Sequence, residues 1–409
     1  MVFAYNVGII GGCGHVGLPL GLSFAKKGLK VLAIDINKTA VDKINNGEMP
    51  FFEPNAEKIL QEVMDKGNFY CTTDQNKIAQ AEYVIIVPGT PIDFEFIPDL
   101  TQIETVIKSI IPYLQKNQAL IFRSTLAPKS TDYIKHFIEV NTKFIIGKDL
   151  FIAFAPERLV QSDAIRELER LPQIIGIYDD DTYRKIKKLF DIICPETIKT
   201  TPLEAELAKL FTNNYRYVNF ALANEFYIIA NSLGANIFNV INAVNHNYPR
   251  ANIAKPGFAK GPCLGKDAWI LLSSSPNLFS FTGVISSAFR VNEGLPSFIV
   301  SEIKKRIDIS KAKVAVLGLT FKKDCDDTRD SLSLKLLKIL KNEFVDFETH
   351  DPFVNNTDIK KLLKEKNIVI IAVNHSLYEK MDIASYVKKG TLIVDIWNAQ
   401  GKNMVFFDA

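Results

Sequence analysis

From Tyr5 to Pro128 short apolar runs alternate with longer amphipathic segments. Val7-Gly-Ile-Ile10, Lys30-Val-Leu-Ala-Ile-Asp35, Tyr83-Val-Ile-Ile-Val87 and Ala119-Leu-Ile-Phe122 read as strands. The stretches between them read as crossover helices, the rhythm of a parallel sheet. Two more runs, Phe151 to Ala155 and Gln173 to Ile177, extend the layer to about Cys194, where a first domain is expected to end. Thr201-Pro-Leu-Glu204 then forms a capping box, with Pro202 at the first helical position, where its missing N–H costs nothing. A long helix should follow, because no glycine or proline interrupts the chain until Gly234. Apolar residues recur at helical spacing through Leu203, Leu207, Leu210, Phe211, Val218 and Leu222. Such a helix suits a spine between two domains or two subunits. Beyond a loop-rich stretch from Pro249 to Pro262 and a helical passage from about Ala288 to Ile307, strand patterns restart at Lys313-Val-Ala-Val-Leu-Gly-Leu319. Further runs at Phe344 to Thr349, Asn367 to Val373 and Leu392 to Asp395 complete a second open α/β unit. The expected division is 1–195, 196–308 and 309–409, two sheet domains around a helical middle.

Composition narrows the picture. A chain of 409 residues, 47% hydrophobic, fits two or three domains. Its formal charge of +3, from 49 basic and 46 acidic residues mixed along the chain, offers no field for nucleic acid. With no leader pattern and no apolar run of the roughly 20 residues a bilayer needs, the expected location is the cytoplasm, away from membranes. Five cysteines, at 13, 71, 194, 263 and 325, are odd in number and lack zinc spacing, so no metal is expected and one thiol is available for chemistry.

Gly12-Cys-Gly-His-Val-Gly17 follows a strand and opens a helix, and Asp35 ends the next strand 18 residues after Gly17. Glycines in this spacing let the backbone turn and approach a pyrophosphate resting on the helix N-terminus, while the acid binds ribose hydroxyls. Asp35 would repel a 2′-phosphate, so NAD is expected rather than NADP, and the sheet domains are expected to be Rossmann-like. Cys13 reads as a packing residue and His15 as a half-exposed loop residue. Val87-Pro-Gly-Thr-Pro91 and Arg123-Ser-Thr125 end two later strands, where open α/β sheets bind ligands.

Lys209 and Asn213 share one face of the long helix, away from its apolar stripe; solvent exposure is the simpler account of such a pair. Gly261-Pro-Cys-Leu-Gly-Lys-Asp267 sets a cysteine in a glycine-rich loop with Lys266 and Asp267 beyond it, and a nearby lysine raises the thiolate fraction. A buried packing cysteine is the competing account.

These pieces, in this order, resemble the UDP-glucose/GDP-mannose dehydrogenase family: GxGxVG, strand-end Thr-Pro and Ser-Thr, Pro156-Glu-Arg158, Ala205-Glu-Leu-Ala-Lys-Leu-Phe-Thr-Asn213, the Cys263 loop, and Phe321-Lys-Lys-Asp-Cys-Asp-Asp-Thr-Arg329. The resemblance covers nearly the whole chain. It implies that Cys263 is the nucleophile, that Lys209 and Asp267 polarise and deprotonate at C6, that Asn213 and Thr125 position the reacting oxygen, and that Glu157 assists hydrolysis. It further implies a cofactor site at Gly12, Gly14, His15, Val16, Gly17, Asp35, Thr90, Thr125 and Arg329. The implied substrate contacts are Glu157, Arg158, Lys209, Asn213, Arg250, Phe258, Phe321 and Lys322, with Arg250 reaching across a homodimer. The activity expected is NAD-dependent oxidation of the C6 hydroxymethyl of a UDP-sugar to a carboxylate, through a thiohemiacetal and a thioester on Cys263.

Gln161 stands where glucose-specific members carry a second glutamate, and Ala164 to Ile175 looks closer to enzymes of UDP-N-acetylhexosamines, UDP-N-acetylmannosamine foremost. UDP-glucose is the alternative and GDP-mannose a distant third. Trp397 occupies a position where many relatives show an arginine. A β-hydroxyacid dehydrogenase would need neither Cys263 nor a third domain, and a non-catalytic sensor would not need lysine, cysteine and aspartate together.

Overall fold

The apolar runs at the start of the chain become neighbouring strands of one eight-stranded sheet in a computed structural model describing residues 2–93, 97–274 and 283–409. In chain order these are β1 (Tyr5–Ile10), β2 (Val31–Ile34), β3 (Phe69–Thr72), β4 (Ala81–Ile86), β5 (Ala119–Phe122), β6 (Phe151–Phe154), β7 (Gln173–Ile177) and β8 (Thr197–Thr200). Their spatial order is β3-β2-β1-β4-β5-β6-β7-β8, parallel throughout except where β7 runs antiparallel to β6. Every residue of β2 and β5 is buried, as expected of strands covered by helices on both faces. Two strands go beyond the sequence reading. Edge strand β3 is short and only partly buried, and β8 carries a single aliphatic residue, Ile198, past the expected end of the layer at Cys194.

The strand order reverses between β1 and β4, which opens a crevice beyond their carboxyl ends. Two loops meet there. Gly11 adopts φ +76°, and a Cβ on it would stand 3.2 Å from the Pro88 side chain, so only glycine lets the loop after β1 approach the loop after β4. The helix Gly17–Lys26 leaves the first loop buried from Gly17 through Ala25, packed on the sheet and against the helix Ala56–Asp65.

The chain forms two compact units, Met1–Thr212 with Trp269–Pro276, and Asn213–Ala268 with Asn277–Ala409. The second holds a five-stranded sheet of β9 (Lys313–Leu317), β10 (Asp346–His350), β11 (Ile368–Ile371), β12 (Leu392–Asp395) and β13 (Phe406–Asp408). Its order is β10-β9-β11-β12-β13, with only β13 antiparallel, and the order again reverses beside β9. Leu295, Ile299 and Ile303 of the helix Val284–Lys304 pack with Val314, Val316, Leu336 and Ile370 in its core.

The long helix is continuous from Pro202 to Ser232, about 46 Å at 1.5 Å per residue. Its start is the expected capping box: Glu204 N donates to Thr201 Oγ1 at 3.3 Å, and Thr201 N donates to Glu204 Oε2 at 2.9 Å. It ends just before Gly234, at φ +71°. Its faces differ from the sequence reading. Lys209 and Asn213 are only 4% and 5% exposed, while Phe211 and Leu222, assigned to the buried stripe, face outward.

Candidate active site

The dinucleotide loop is shaped by contacts that explain each glycine. A Cβ on Gly12 would lie 2.8 Å from Ala33 Cβ and from Ile9 O, and one on Gly17 would lie 2.3 Å from Gly11 O. These two positions serve packing. Among the described residues a Cβ on Gly14 would meet only Gly11 O, at 3.7 Å, which leaves room on that side for a ligand to approach the backbone. Val16 precedes the helix, whose N-terminus carries no side-chain cap, which leaves it suited to a pyrophosphate. Asp35 accepts the Cys13 amide at 3.0 Å and the Asn37 amide at 3.0 Å, which fixes its carboxylate at the end of β2. His15 is half-buried, stacked against Phe51 and bonded through Nδ1 to Gln161 Nε2 at 3.1 Å. Cys13 is a packing residue, its sulfur 3.1 Å from that of Cys71 and its thiol pushed up by that contact and by burial.

Thr90, Ser124 and Thr125 are buried beyond the ends of β4 and β5. Among the described residues the hydroxyls of Thr90 and Ser124 find no hydrogen-bond partner. Buried donors are rarely left so, and orphaned hydroxyls beside the switch-point crevice are what a bound dinucleotide would satisfy. Ser124 lies within the strand-end motif Arg123-Ser-Thr125, but the resemblance gives a role to Thr125 and none to Ser124. Glu157 follows β6, its amide donating to Arg123 O at 3.0 Å and its carboxylate accepting from Leu159 N. Arg158 donates to Pro172 O, and burial lowers its pKa against the opposing pull of Glu157. Lys209 belongs to this first unit as well.

In the second unit Cys263 is exposed, immediately before the helix Leu264–Ser273. Asp267 N donates to Cys263 O at 3.0 Å, the first turn of that helix, so the thiol stands at a helix N-terminus. Asp267 is fully buried. Its Oδ2 accepts from Asn213 Nδ2 at 2.6 Å and its Oδ1 from Lys266 Nζ at 2.9 Å, and Asn214 Nδ2 donates to its carbonyl at 3.3 Å. Burial opposes the Lys266 charge, yet Asp267 and Cys263 outweigh it and raise its pKa. Arg329 is likewise held charged, chiefly by Asp327 and in part by Cys263. A helix N-terminus flanked by cations is the setting in which thiolates are stabilised. The resemblance pairs Asp267 with Lys209; the side chains bonded to its carboxylate are those of Asn213 and Lys266. Lys266 was visible in the sequence as the lysine of the cysteine loop, but adjacency alone did not mark it as a partner of Asp267.

Gly261, at φ +137°, lets the ring of Phe321 close onto the cysteine loop; a Cβ there would meet Phe321 Cδ2 at 2.6 Å. Lys322 follows, half-buried, and Arg329 is bound through Nε and Nη2 to Asp327. Phe258 is buried among Tyr227, Leu295 and Ile396, so its ring belongs to the core. Trp397 donates from Nε1 to Ala372 O at 2.8 Å and lays its ring against Gly257, a packing role that accounts for its presence. Arg250 is exposed, its guanidinium over the Tyr248 ring. Among the described residues no cluster of three or more His, Cys, Asp or Glu could hold a metal, and no helix is long and apolar enough to cross a membrane.

Compared with known proteins, residues 5–194, 203–294 and 315–402 match the NAD binding, central and UDP binding domains of the UDP-glucose/GDP-mannose dehydrogenase family. The UDP-N-acetyl-D-mannosamine dehydrogenase of Pyrococcus horikoshii is 32% identical over 405 residues, 96% of this chain and 94% of that protein. The Campylobacter jejuni enzyme of that name is 31% identical over 94% of this chain and 95% of its own. The solved UDP-N-acetyl-mannosamine dehydrogenase of Staphylococcus aureus superposes with a TM-score of 0.85 at 31% identity, covering 96% and 95% of the two chains. With switch-point crevice, glycine loop and exposed thiol in one chain, these likenesses lead to one conclusion: the protein belongs to the UDP-glucose/GDP-mannose dehydrogenase family and is an NAD-dependent nucleotide-sugar dehydrogenase.

Proposed function

We propose that this enzyme oxidises the C6 hydroxymethyl of a UDP-N-acetylhexosamine, UDP-N-acetylmannosamine before the others, to the carboxylate, with Cys263 as covalent nucleophile. The observation that carries the reading is the exposed Cys263 thiol at a helix N-terminus beside the buried Asp267–Asn213 pair and the half-buried Lys266. The glycine loop and Asp35 would hold NAD, which would supply the hydride acceptor for each of two oxidations. Lys209 and Asp267 polarise and deprotonate the C6 hydroxyl, the Lys209 ammonium stabilising the developing alkoxide, with Asn213 and Thr125 fixing the oxygen; loss of a single oxyanion donor typically costs on the order of 10²–10³ in kcat. The Cys263 sulfur then bonds to the aldehyde carbon, giving a thiohemiacetal whose second oxidation yields a thioester. Water, assisted by Glu157, attacks the acyl carbon, the C–S bond breaks, and the electron pair returns to Cys263. One alcohol, two NAD and one water thus become one carboxylate, two NADH and three protons.

The names of the 31–32% identical relatives support the mannosamine sugar, as does Gln161 in place of the second glutamate of glucose-specific members. UDP-glucose is the alternative. We further propose the domain division 1–195, 196–308 and 309–409 and a homodimer along the long helix, with Arg250 serving the partner's substrate. The test is NADH formed per sugar consumed across UDP-N-acetylmannosamine, UDP-N-acetylglucosamine, UDP-N-acetylgalactosamine and UDP-glucose. Two NADH per sugar are expected with the mannosamine nucleotide; one NADH would mean an aldehyde product and remove Cys263 from its role.

A further inference from the structure

Beneath Glu157 lies a cation that no carboxylate neutralises by hydrogen bonding among the described residues. Arg123, the first residue past β5, is 1% exposed. Its guanidinium lies 5.7 Å from the Phe190 ring centre, and burial draws its pKa down, opposed first by Glu157. Buried charges are expensive, so an arginine where a neutral side chain could fill the space calls for a reason. Its hydrogen bonds supply one. Nη1 donates to Ala155 O at 3.2 Å and to Gln173 Oε1 at 2.9 Å. Gln173, itself 5% exposed, donates from Nε2 to Pro156 O at 3.1 Å and to Ile174 O at 2.8 Å. Glu157 N donates to Arg123 O at 3.0 Å. The two carbonyls preceding Glu157 and its own amide are therefore all tied to the Arg123–Gln173 pair. Pro156 lacks an N–H and is fixed in φ, and Ala155 N is engaged in the sheet with Phe122 O at 2.8 Å, so the side chains of Arg123 and Gln173 are what hold the carbonyls of the turn.

We infer that Arg123, together with Gln173, is a positioning residue for the hydrolytic half of the reaction: it fixes the Ala155-Pro156-Glu157 turn so that the Glu157 carboxylate takes the proton of the water attacking the thioester. The inference rests on the reading of Glu157 given above. In that step the water oxygen bonds to the acyl carbon, one proton passes to Glu157, the C–S bond breaks and the thiolate of Cys263 leaves. Loosening the turn slows this step and spares the two oxidations that precede it.

The experiment is rapid-mixing NADH formation with saturating NAD and UDP-N-acetylmannosamine, followed by acid quench and intact-mass measurement of the enzyme. Arg123→Gln and Gln173→Met should each release about two NADH per active site in a burst, then turn over at least ten-fold more slowly than wild type, with an acyl group on Cys263. Arg123→Lys, which keeps a buried donor and the charge, should recover part of the steady-state rate. Glu157→Gln should give the same burst. If Glu157→Gln bursts while Gln173→Met and Arg123→Gln turn over linearly at the wild-type rate, the inference is overturned. It is overturned equally if those variants keep the wild-type melting temperature but slow both oxidations alongside hydrolysis. A Glu157→Gln enzyme with neither burst nor acyl group would instead remove the reading of Glu157.

Discussion

Cys263 is the exposed cysteine of the five, with Cys71 half-buried and Cys13, Cys194 and Cys325 buried. Burial pushes the Cys194 thiol up to about 11 and that of Cys325 upward as well, so neither presents a thiolate near neutrality. One equivalent of iodoacetamide at pH 7.5 should therefore label Cys263 first, abolish acid formation in proportion, and do so more slowly when UDP-sugar is bound. Peptide mapping checks this; Cys71 labelled ahead of Cys263 would contradict it. Cys263→Ser should bind NAD and UDP-sugar but form no uronate. The sequence pointed to this thiol because its glycine loop and neighbouring lysine are local. It was less informative about Lys209 and Asn213, whose helical face reads as solvated when taken alone. The partner that makes burial tolerable for Asn213 is Asp267, 54 residues further on, and a polar side chain's burial depends on partners that local periodicity does not reveal.

Elements were legible in proportion to how far their own residues dictate them. Strands β1, β2, β4, β5, β9, β11 and β12 are apolar runs because helices cover both faces of the sheet, whereas β3, β8 and β13 are short edge or near-edge strands made by pairing with a neighbour. The antiparallel turn of β7 against β6 was likewise invisible in an apolar run that suits either direction. The helix Val284–Lys304 shows what such an element owes to charge near its end. Burial of Glu302 opposes its ionisation, yet hydrogen bonds from Lys305, Arg306 and Asn231 outweigh this and hold its carboxyl down at about 2, against 4.5 when free. A carboxylate whose folded pKa is depressed contributes stability above its unfolded pKa and loses it as pH falls through the folded value. Glu302→Gln should therefore lower unfolding free energy at pH 7 by about 1.5–3 kcal/mol, the usual size for hydrogen bonds to a charged group. The difference from wild type should shrink between pH 4.5 and pH 2, followed by urea denaturation. A difference independent of pH would mean that Glu302 matters only through its shape.

At the scale of the whole molecule, the long helix and Leu233 just past its end present a row of large apolar side chains that stay exposed among the described residues: Tyr215, Leu222, Phe226, Ile229 and Leu233, with Val218 partly covered between them. Their spacings of three and four residues put them in one seam, the pattern that packs against another helix. Tyr215 is 71% exposed and Leu233 78%, values that fit a surface awaiting a second copy better than a monomer in water. An obligate dimer is expected by analytical ultracentrifugation. Leu222→Asp combined with Ile229→Asp, which disturbs no residue of the chain's own core, should give a monomer unable to form uronate. Arg250 sharpens the expectation, because the dimer then has functional content beyond cohesion. If each site uses its own Cys263 and the partner's Arg250, then Cys263→Ser and Arg250→Ala homodimers are both impaired. In a mixed dimer one site would regain both groups. Random reassortment of equal amounts should thus restore about a quarter of wild-type activity, since half the dimers are mixed and one site in each is complete. Reassortment verified by two distinguishable affinity tags, yet with no recovered activity, would place Arg250 in the site of its own subunit and leave the dimer a structural role alone.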